Sequence, residues 1–265
     1  MVRYLLQIEY DGSRFQGWQS QPSGQTVQDH LEKALSTIAC ERVQAHAAGR
    51  TDTGVHALAQ VAHFETQVER PLQAWIRGVN AHLPAAIAVR QVLPVADDFH
   101  ARFCAQSRSY RYVLFNNPVR PAIQAGRVGW YHRPLDAPAM ARAAALLLGE
   151  RDFSAFRSSE CQAKSPVKTV HQADVARHGE FLVFDFCAGG FLHHMVRNLV
   201  GALLWVGYGK ERPEWIVDLL AQRDRTLAPP TFMPDGLYFT GVDYGPGWNL
   251  PDGGRIIAPS FSTLV

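Results

Sequence analysis

Residues 47–64, AAGRTDTGVHALAQVAHF, set a carboxylate in a loop. Asp52 stands between two threonines, two residues after Arg50 and two before Gly54. An aspartate ahead of Thr-Gly is a common turn former, because its carboxylate bonds backbone N–H groups two residues on. The same loop joins two strand-like runs, and loops held on a rigid scaffold are where binding and reacting groups concentrate. Local grounds leave both readings open. Arg50 and Asp52, two apart on an extended loop, can point the same way and form a local charge pair.

A second unusual charge is Arg197. On a helical wheel Met195, Val196, Leu199, Val200, Leu203 and Leu204 fill one arc, and Arg197 falls at its edge. A guanidinium there either reaches out to water or takes a carboxylate or phosphate partner. With Asp52 as partner, the cation would hold the carboxylate ionised, lowering its pKa by roughly 1–3 units. His193 and His194 precede Arg197. On a helix, adjacent positions diverge by about 100° and suit a shared metal poorly. G-x-x-x-x-G-K-[ST], a helix-opening G-x-G-x-x-G, H-E-x-x-H and G-x-S-x-G are all absent. The expected chemistry uses no cofactor and no metal.

The elements that must position these residues follow from periodicity. RYLLQIEYDG reads as a strand closed by Asp11-Gly12, followed by a polar loop with two exposed-looking aromatics, Phe15 and Trp18. TVQDHLEKALSTIA reads as a helix capped by Thr26, with Val27, Leu31, Leu35 and Ile38 as its apolar stripe. A strand near 42–48, the Asp52 loop, the strand AQVAHFET, a helix over 72–83 led by Pro71, and the strand AIAVRQVLPV complete a β-α-β-β-α-β order. That order is ferredoxin-like. RSYRYVLFNNP then opens a second, elaborated half. It holds a helix over 136–148 capped by Asp136, and the strands PVKTVHQADVARH and EFLVFDFCAGG on either side of His178-Gly179. Helices over 193–206 and 213–222 and a last strand GLYFTGVDY follow. The expected fold is α/β of the α+β kind. Two ferredoxin-like (RRM-like) halves, 1–105 and 106–265, would share a continuous antiparallel sheet with helices on one side. The tail after Gly245, with three prolines and, counting Gly245 itself, four glycines, is expected to lack regular structure.

Composition bounds the class. The 265 residues are 47% hydrophobic and 19% charged, as in a soluble globular protein, with no apolar run long enough to cross a bilayer. The N-terminus carries no signal-peptide layout. Cys40, Cys104, Cys161 and Cys187 are widely spaced, which argues against structural zinc and a disulfide framework and for a cytoplasmic setting. The net charge of +2 is small, but residues 99–135 hold no Asp or Glu while carrying Arg102, Arg108, Arg111, Arg120, Arg127 and Arg133. Such a strip is either a solvated basic face or a phosphate-tracking surface. Tyr110, Tyr112, Phe115, Trp130 and Tyr131 supply aromatics for base stacking.

Seven segments occur in the order of a family's motifs: IEYDGSRFQGWQ, AGRTDTGVHALAQVAHF, VNAHLP, DDFHARF, RSYRYVLFNN, FLHHMVRNLVG and GLYFTGVDY. The chain thereby resembles the tRNA pseudouridine synthases of the TruA type from about Tyr4 to Tyr244. The resemblance implies an isomerase that turns uridine into pseudouridine at positions 38 to 40 of the tRNA anticodon stem-loop, acting as a homodimer with tRNA as partner. It implies that Asp52 is the catalytic aspartate, acting at the ribose. Tyr110 would stack on the flipped uracil and is a candidate proton acceptor at C5, and Arg197 would be the ion-pair partner of Asp52. Arg50 would bind RNA and Leu237 would line the uracil pocket. Thr53 stands where alanine is more usual and Phe239 where a smaller aliphatic is. Neither change removes a functional group. A tRNA-binding module without chemistry, and a hydrolase using Asp52 as nucleophile, are the competing readings.

Overall fold

The computed structural model describes residues 1–258. The fold is mixed α/β, with mostly antiparallel sheet and, among the described residues, five α-helices. The described residues divide into two compact units: Met1–Arg108 with residues 238–258, and Ser109–Leu237. The return of the chain to the first unit at Tyr238 has no mark in the sequence pattern.

The first unit opens with β1 (Val2–Tyr10), then α1 (Val27–Ala39), β2 (Ala45–Ala47), β3 (His56–Thr66), α2 (Leu72–His82) and β4 (Ile87–Val95). Its strands lie in the order β4-β1-β3-β2, each pairing antiparallel, which is the ferredoxin-like arrangement. Thr26 caps α1 in a reciprocal box with Asp29: Asp29 N–H reaches Thr26 Oγ1 at 3.2 Å and Thr26 N–H reaches Asp29 Oδ2 at 3.3 Å. Such a cap contributes about 1 kcal/mol. Tyr4, Phe64 and Trp75 meet at ring separations of 5.3–5.7 Å, tying β1, β3 and α2 into one core. α1 and α2 touch where Gly78 leaves room. A Cβ there would lie 2.8 Å from Ile38 Cδ1.

The second unit contains all but the first two residues of β5 (Ser107–Asn116), then β6 (Gly129–Tyr131), α3 (Ala137–Ala145), β7 (Gly149–Asp152), β8 (Val167–His178), β9 (Phe181–Ala188), α4 (Met195–Gly207) and α5 (Trp215–Gln222). Its sheet order is β5-β9-β8-β7. β8 pairs antiparallel with both β9 and β7, whereas β6 runs parallel to β5. Asp136 caps α3, its Oδ1 accepting from Ala139 N–H at 2.9 Å. The apolar arc of α4 is buried throughout, and Arg197 is half-buried beside it.

Back in the first unit from Tyr238, β10 (Leu237–Asp243) runs parallel to β3, with Tyr238 opposite His56 and Phe239 opposite Ala57. β11 (Arg255–Ile257) pairs antiparallel with β10. The sheet is therefore not antiparallel throughout. The tail departs from expectation as well: it forms 3-10 turns at Pro246–Trp248 and Pro251–Gly254 before β11. Burial of Ile256 and pairing with β10 order a segment whose composition reads as loop. Residues 259–265, the end of that tail, lie outside the described residues.

Candidate active site

Asp52 sits where β2 and β3 are joined, half-buried, with Arg50 exposed and Thr51 buried beside it. The loop is braced at successive residues. Ala48 donates its N–H to Val61 O at 2.7 Å, and its carbonyl accepts from Arg108 Nε and Nη2 at 3.3 and 3.2 Å. Gly49 O accepts from Gln60 Nε2 at 2.7 Å. Thr51 O accepts from Trp18 N–H at 3.0 Å, and Asp52 O accepts from Val55 N–H at 3.1 Å as Gly54 turns the chain at φ 82°.

The deepest brace is a buried polar triad. The hydroxyls of Tyr10 and Thr51 are 2.7 Å apart, and Gln60 Nε2 donates to the Tyr10 hydroxyl at 3.3 Å. Burial outweighs these bonds and pushes the Tyr10 phenol up to about 12. A polar Gln60 in the mostly apolar strand ALAQVAHF is the one sequence signal that could have revealed this triad. Its partners Tyr10 and Thr51 carry no local mark.

The loop at residues 11–25 packs against this assembly. Phe15 and Trp18, which look exposed in sequence, are buried at 7% and 2%. Trp18 lies 6.1 Å from the Tyr10 ring, so the aromatics wall the loop rather than face solvent. Gly17 has φ 81°, and a Cβ on it would stand 2.7 Å from Thr51 O. Gly12 N–H donates to His56 Nδ1 at 3.0 Å, and the His56 ring stacks on Tyr238 at 4.7 Å. These contacts connect the turn after β1 to β3 and β10.

Tyr110, Arg197 and Leu237 lie in the second unit. Tyr110, on β5, is buried and meets Phe191 edge-on at 5.0 Å. Arg197 Nε donates to Phe232 O at 2.8 Å, so α4 grips the segment that leads into Leu237. That segment is also held on β5: Tyr112 donates its hydroxyl to Met233 O at 3.0 Å, and Val113 N–H reaches Gly236 O at 2.8 Å. Gly236 permits the approach, since a Cβ there would collide with Val113 O at 2.2 Å. Leu237 itself is buried, its N–H bonded to Pro234 O at 2.8 Å. β5, α4 and this segment thus hold the three residues in one framework. His193 and His194 depart from expectation, because α4 begins only at Met195. His194 caps it at φ 61°, and the two imidazoles lie 3.9 Å apart rather than diverging along a helix.

The arginine strip divides by partner. Arg111 makes a two-point bond to Asp185 at 2.7 and 2.9 Å, and Arg108 spends its donors on the carbonyls of Ala48, Ala105 and Arg102. Arg102, Arg120, Arg127 and Arg133 are exposed. Of the aromatics, Tyr110 and Tyr112 are buried, whereas Phe115, Trp130 and Tyr131 are half-buried.

Comparison with known proteins bears on what this framework is. A solved Cbf5-Nop10-Gar1 complex overlaps 76% of this chain and 45% of its own at a TM-score of 0.35 and 13% identity, too loose a likeness to support an argument. The tRNA pseudouridine synthase A of Chromobacterium violaceum is 61% identical over 251 residues, covering 94% of this chain and 96% of its own. That of Aromatoleum aromaticum is 59% identical over 256 residues, 97% of each. The family model of tRNA pseudouridine synthases matches residues 7–104 and 143–245, which takes in the Asp52 loop, Arg197 and Leu237 and leaves Tyr110 between the two stretches. Matched over most of its length by that model and more than half identical to these relatives nearly end to end, the chain belongs to the tRNA pseudouridine synthase A family.

Proposed function

We propose that this chain isomerises uridine to pseudouridine in tRNA, at positions 38 to 40 of the anticodon stem-loop, with Asp52 as the reacting carboxylate. The observation that carries the reading is the braced, half-buried Asp52 loop in a chain of this family. The reaction breaks the N1–C1′ bond, turns the free uracil over and rejoins it through C5. It exchanges neither electrons nor phosphate. Asp52 acts at the ribose, either as nucleophile at C1′ or as base at C2′. A protein–RNA adduct that survives denaturation marks the first route.

Tyr110 is the aromatic that holds the detached uracil, and its hydroxyl is a candidate acceptor for the C5 proton. Arg197 is the counter-charge of the Asp52 carboxylate, its guanidinium oriented by the bond to Phe232 O. Arg50 binds the RNA, and Leu237 lines the uracil pocket. Base extrusion costs a few kcal/mol, offset by stacking and by phosphate contacts to exposed arginines that position the RNA without reading its sequence. In this reading the enzyme is a cytoplasmic homodimer.

The test is isomerisation of tRNA transcript tritiated at uracil C5, because forming pseudouridine releases that tritium. Asp52→Asn is expected to abolish release while tRNA affinity stays within about threefold, a span below 1 kcal/mol. Substantial turnover by the variant would remove Asp52 from the chemistry. Absence of release by the unaltered protein on several tRNAs would favour a binding module. Activity without RNA would favour a hydrolase.

A further inference from the structure

Apart from the general phosphate contacts of exposed arginines, no part of the reaction above uses the turn at residues 97–104, DDFHARFC. It presents Phe103 with 76% of its surface exposed, the only exposed Phe, Tyr or Trp among the described residues. An exposed phenylalanine contributes nothing to the core, yet the turn that carries it is braced at almost every residue. Phe99 O accepts from Arg3 Nη1 at 2.6 Å. Ala101 donates its N–H to His63 Nδ1 at 3.2 Å and accepts the Tyr244 hydroxyl at 2.8 Å. His100 Nδ1 accepts the N–H groups of Arg102 and Phe103 at 3.1 and 3.4 Å. The His100 ring backs the Phe103 ring at 4.3 Å and is itself backed by His63 at 4.5 Å. Arg108 donates to Arg102 O with the same guanidinium that grips Ala48 O. A single cation therefore joins the Phe103 turn to the start of the Asp52 loop.

Charge selects the kind of partner. The exposed Arg102 guanidinium lies 5.7 Å from the Phe103 ring centroid, and no Asp or Glu occurs from residue 99 to residue 135. Asp97 and Asp98 enter the turn, so its positive charge lies at the Phe103 end. A rigid exposed ring beside a guanidinium suits a π-face carrying a phosphate. An apolar protein patch would use the ring but leave the cation unanswered.

We propose that Phe103 is a stacking platform for an unpaired nucleotide of the RNA substrate, with Arg102 on the adjoining phosphate. This rests on the reading of the chain as a tRNA-modifying enzyme. The platform is tied through Arg108 to the Asp52 loop, so it fixes the RNA relative to the reacting carboxylate without touching the target base.

The full-length protein, assayed for tritium release from tRNA transcript, provides the test. Phe103→Ala and Phe103→Leu are expected to raise KM roughly 5- to 150-fold, the range of one lost base–aromatic stack, with kcat little changed. Phe103→Trp is expected to restore KM. Arg102→Gln is expected to raise KM and lower the salt dependence of tRNA binding by about one ion. The thermal midpoint of Phe103→Ala is expected to match that of the unaltered protein. Unchanged KM in Phe103→Ala, with the unaltered protein active, overturns the platform and leaves the enzymatic reading standing. A lowered thermal midpoint in both Phe103→Ala and Phe103→Leu assigns the ring to stability, and a changed oligomeric state assigns it to contact between copies. Either result overturns the proposal. An unaltered protein that releases no tritium defeats the enzymatic reading instead.

Discussion

Replacing Thr51 by valine isolates the role of the buried triad, since valine keeps the volume and β-branching but removes the hydroxyl. The Tyr10 hydroxyl then keeps only Gln60 Nε2, at 3.3 Å, a donor that also serves Gly49 O at 2.7 Å. A net hydrogen bond contributes about 0.5–1.5 kcal/mol, and a buried polar group left short of partners costs about 1–3 kcal/mol. Gln60 remains in place, so the loss is expected at about 1–2 kcal/mol. At roughly 2–4 °C per kcal/mol for a chain of this size, the thermal midpoint drops by about 2–8 °C. The effect on turnover is expected to be larger than stability alone explains. Thr51 is fixed by Tyr10 on its side chain and by Trp18 N–H on its carbonyl, and Asp52 is the next residue. Misplacing a reacting group by about 1 Å can cost about a hundredfold. Tritium release, read at a temperature below the onset of melting, is therefore expected to show kcat reduced at least about tenfold with KM nearly unchanged, and Thr51→Ser is expected to recover it. An unaltered kcat in Thr51→Val, or a loss confined to KM, would refute the positioning argument. Loss of activity in Thr51→Ser equal to that in Thr51→Val would do the same.

Gly17→Ala places a side chain at φ 81° against Thr51 O; it is expected to cost about 1–2 kcal/mol and to lower kcat, read by thermal melting and the same assay. His63 is held down to about 4 by burial first, then by the charges of His100, His46 and Arg3. The unfolded chain takes up that proton near pH 6.5 and the folded chain only near 4. His63 therefore stabilises the fold fully above about pH 6.5, and roughly 3 kcal/mol is lost as pH falls through 4. Urea midpoints across this window are expected to fall less steeply for His63→Asn. Arg111 is bound to Asp185 at two points whereas Arg120 is exposed. Arg120→Gln is accordingly expected to reduce the salt slope of tRNA binding by about one, and Arg111→Gln to change stability more than the slope.

Much of the local structure is legible because its causes are local. The Thr26 and Asp136 caps and the His178-Gly179 turn each act within four residues and stand where periodicity and turn chemistry place them, while Pro71 lies just ahead of α2 and not, as expected, as its first residue. The short strands β6, β7 and β11 escaped notice because each has three or four residues and exists only through its partner strand. Phe15 and Trp18 show the limit most directly. A Gly-containing polar loop reads as exposed, and only its folding against Tyr10, His30 and the distant Thr51 covers it.

By itself the sequence determined which chemical groups are available and the local elements that carry them: a carboxylate in a Thr-Asp-Thr-Gly loop, a tyrosine on a strand, an arginine at the apolar edge of a helix. Motif order extended this to a family. Only the tertiary structure decided how the Asp52 loop is held. Its braces come from Tyr10, Trp18, Gln60 and Arg108, each 11 to 60 positions along the chain from the group it bonds. The strand β10 reaches its place beside β3 from further still. Hydrogen bonds of that span depend on where the backbone travels in space, which no local period encodes. The same holds for Phe103, whose exposure is a property of the surface left after every other aromatic among the described residues has found at least partial cover.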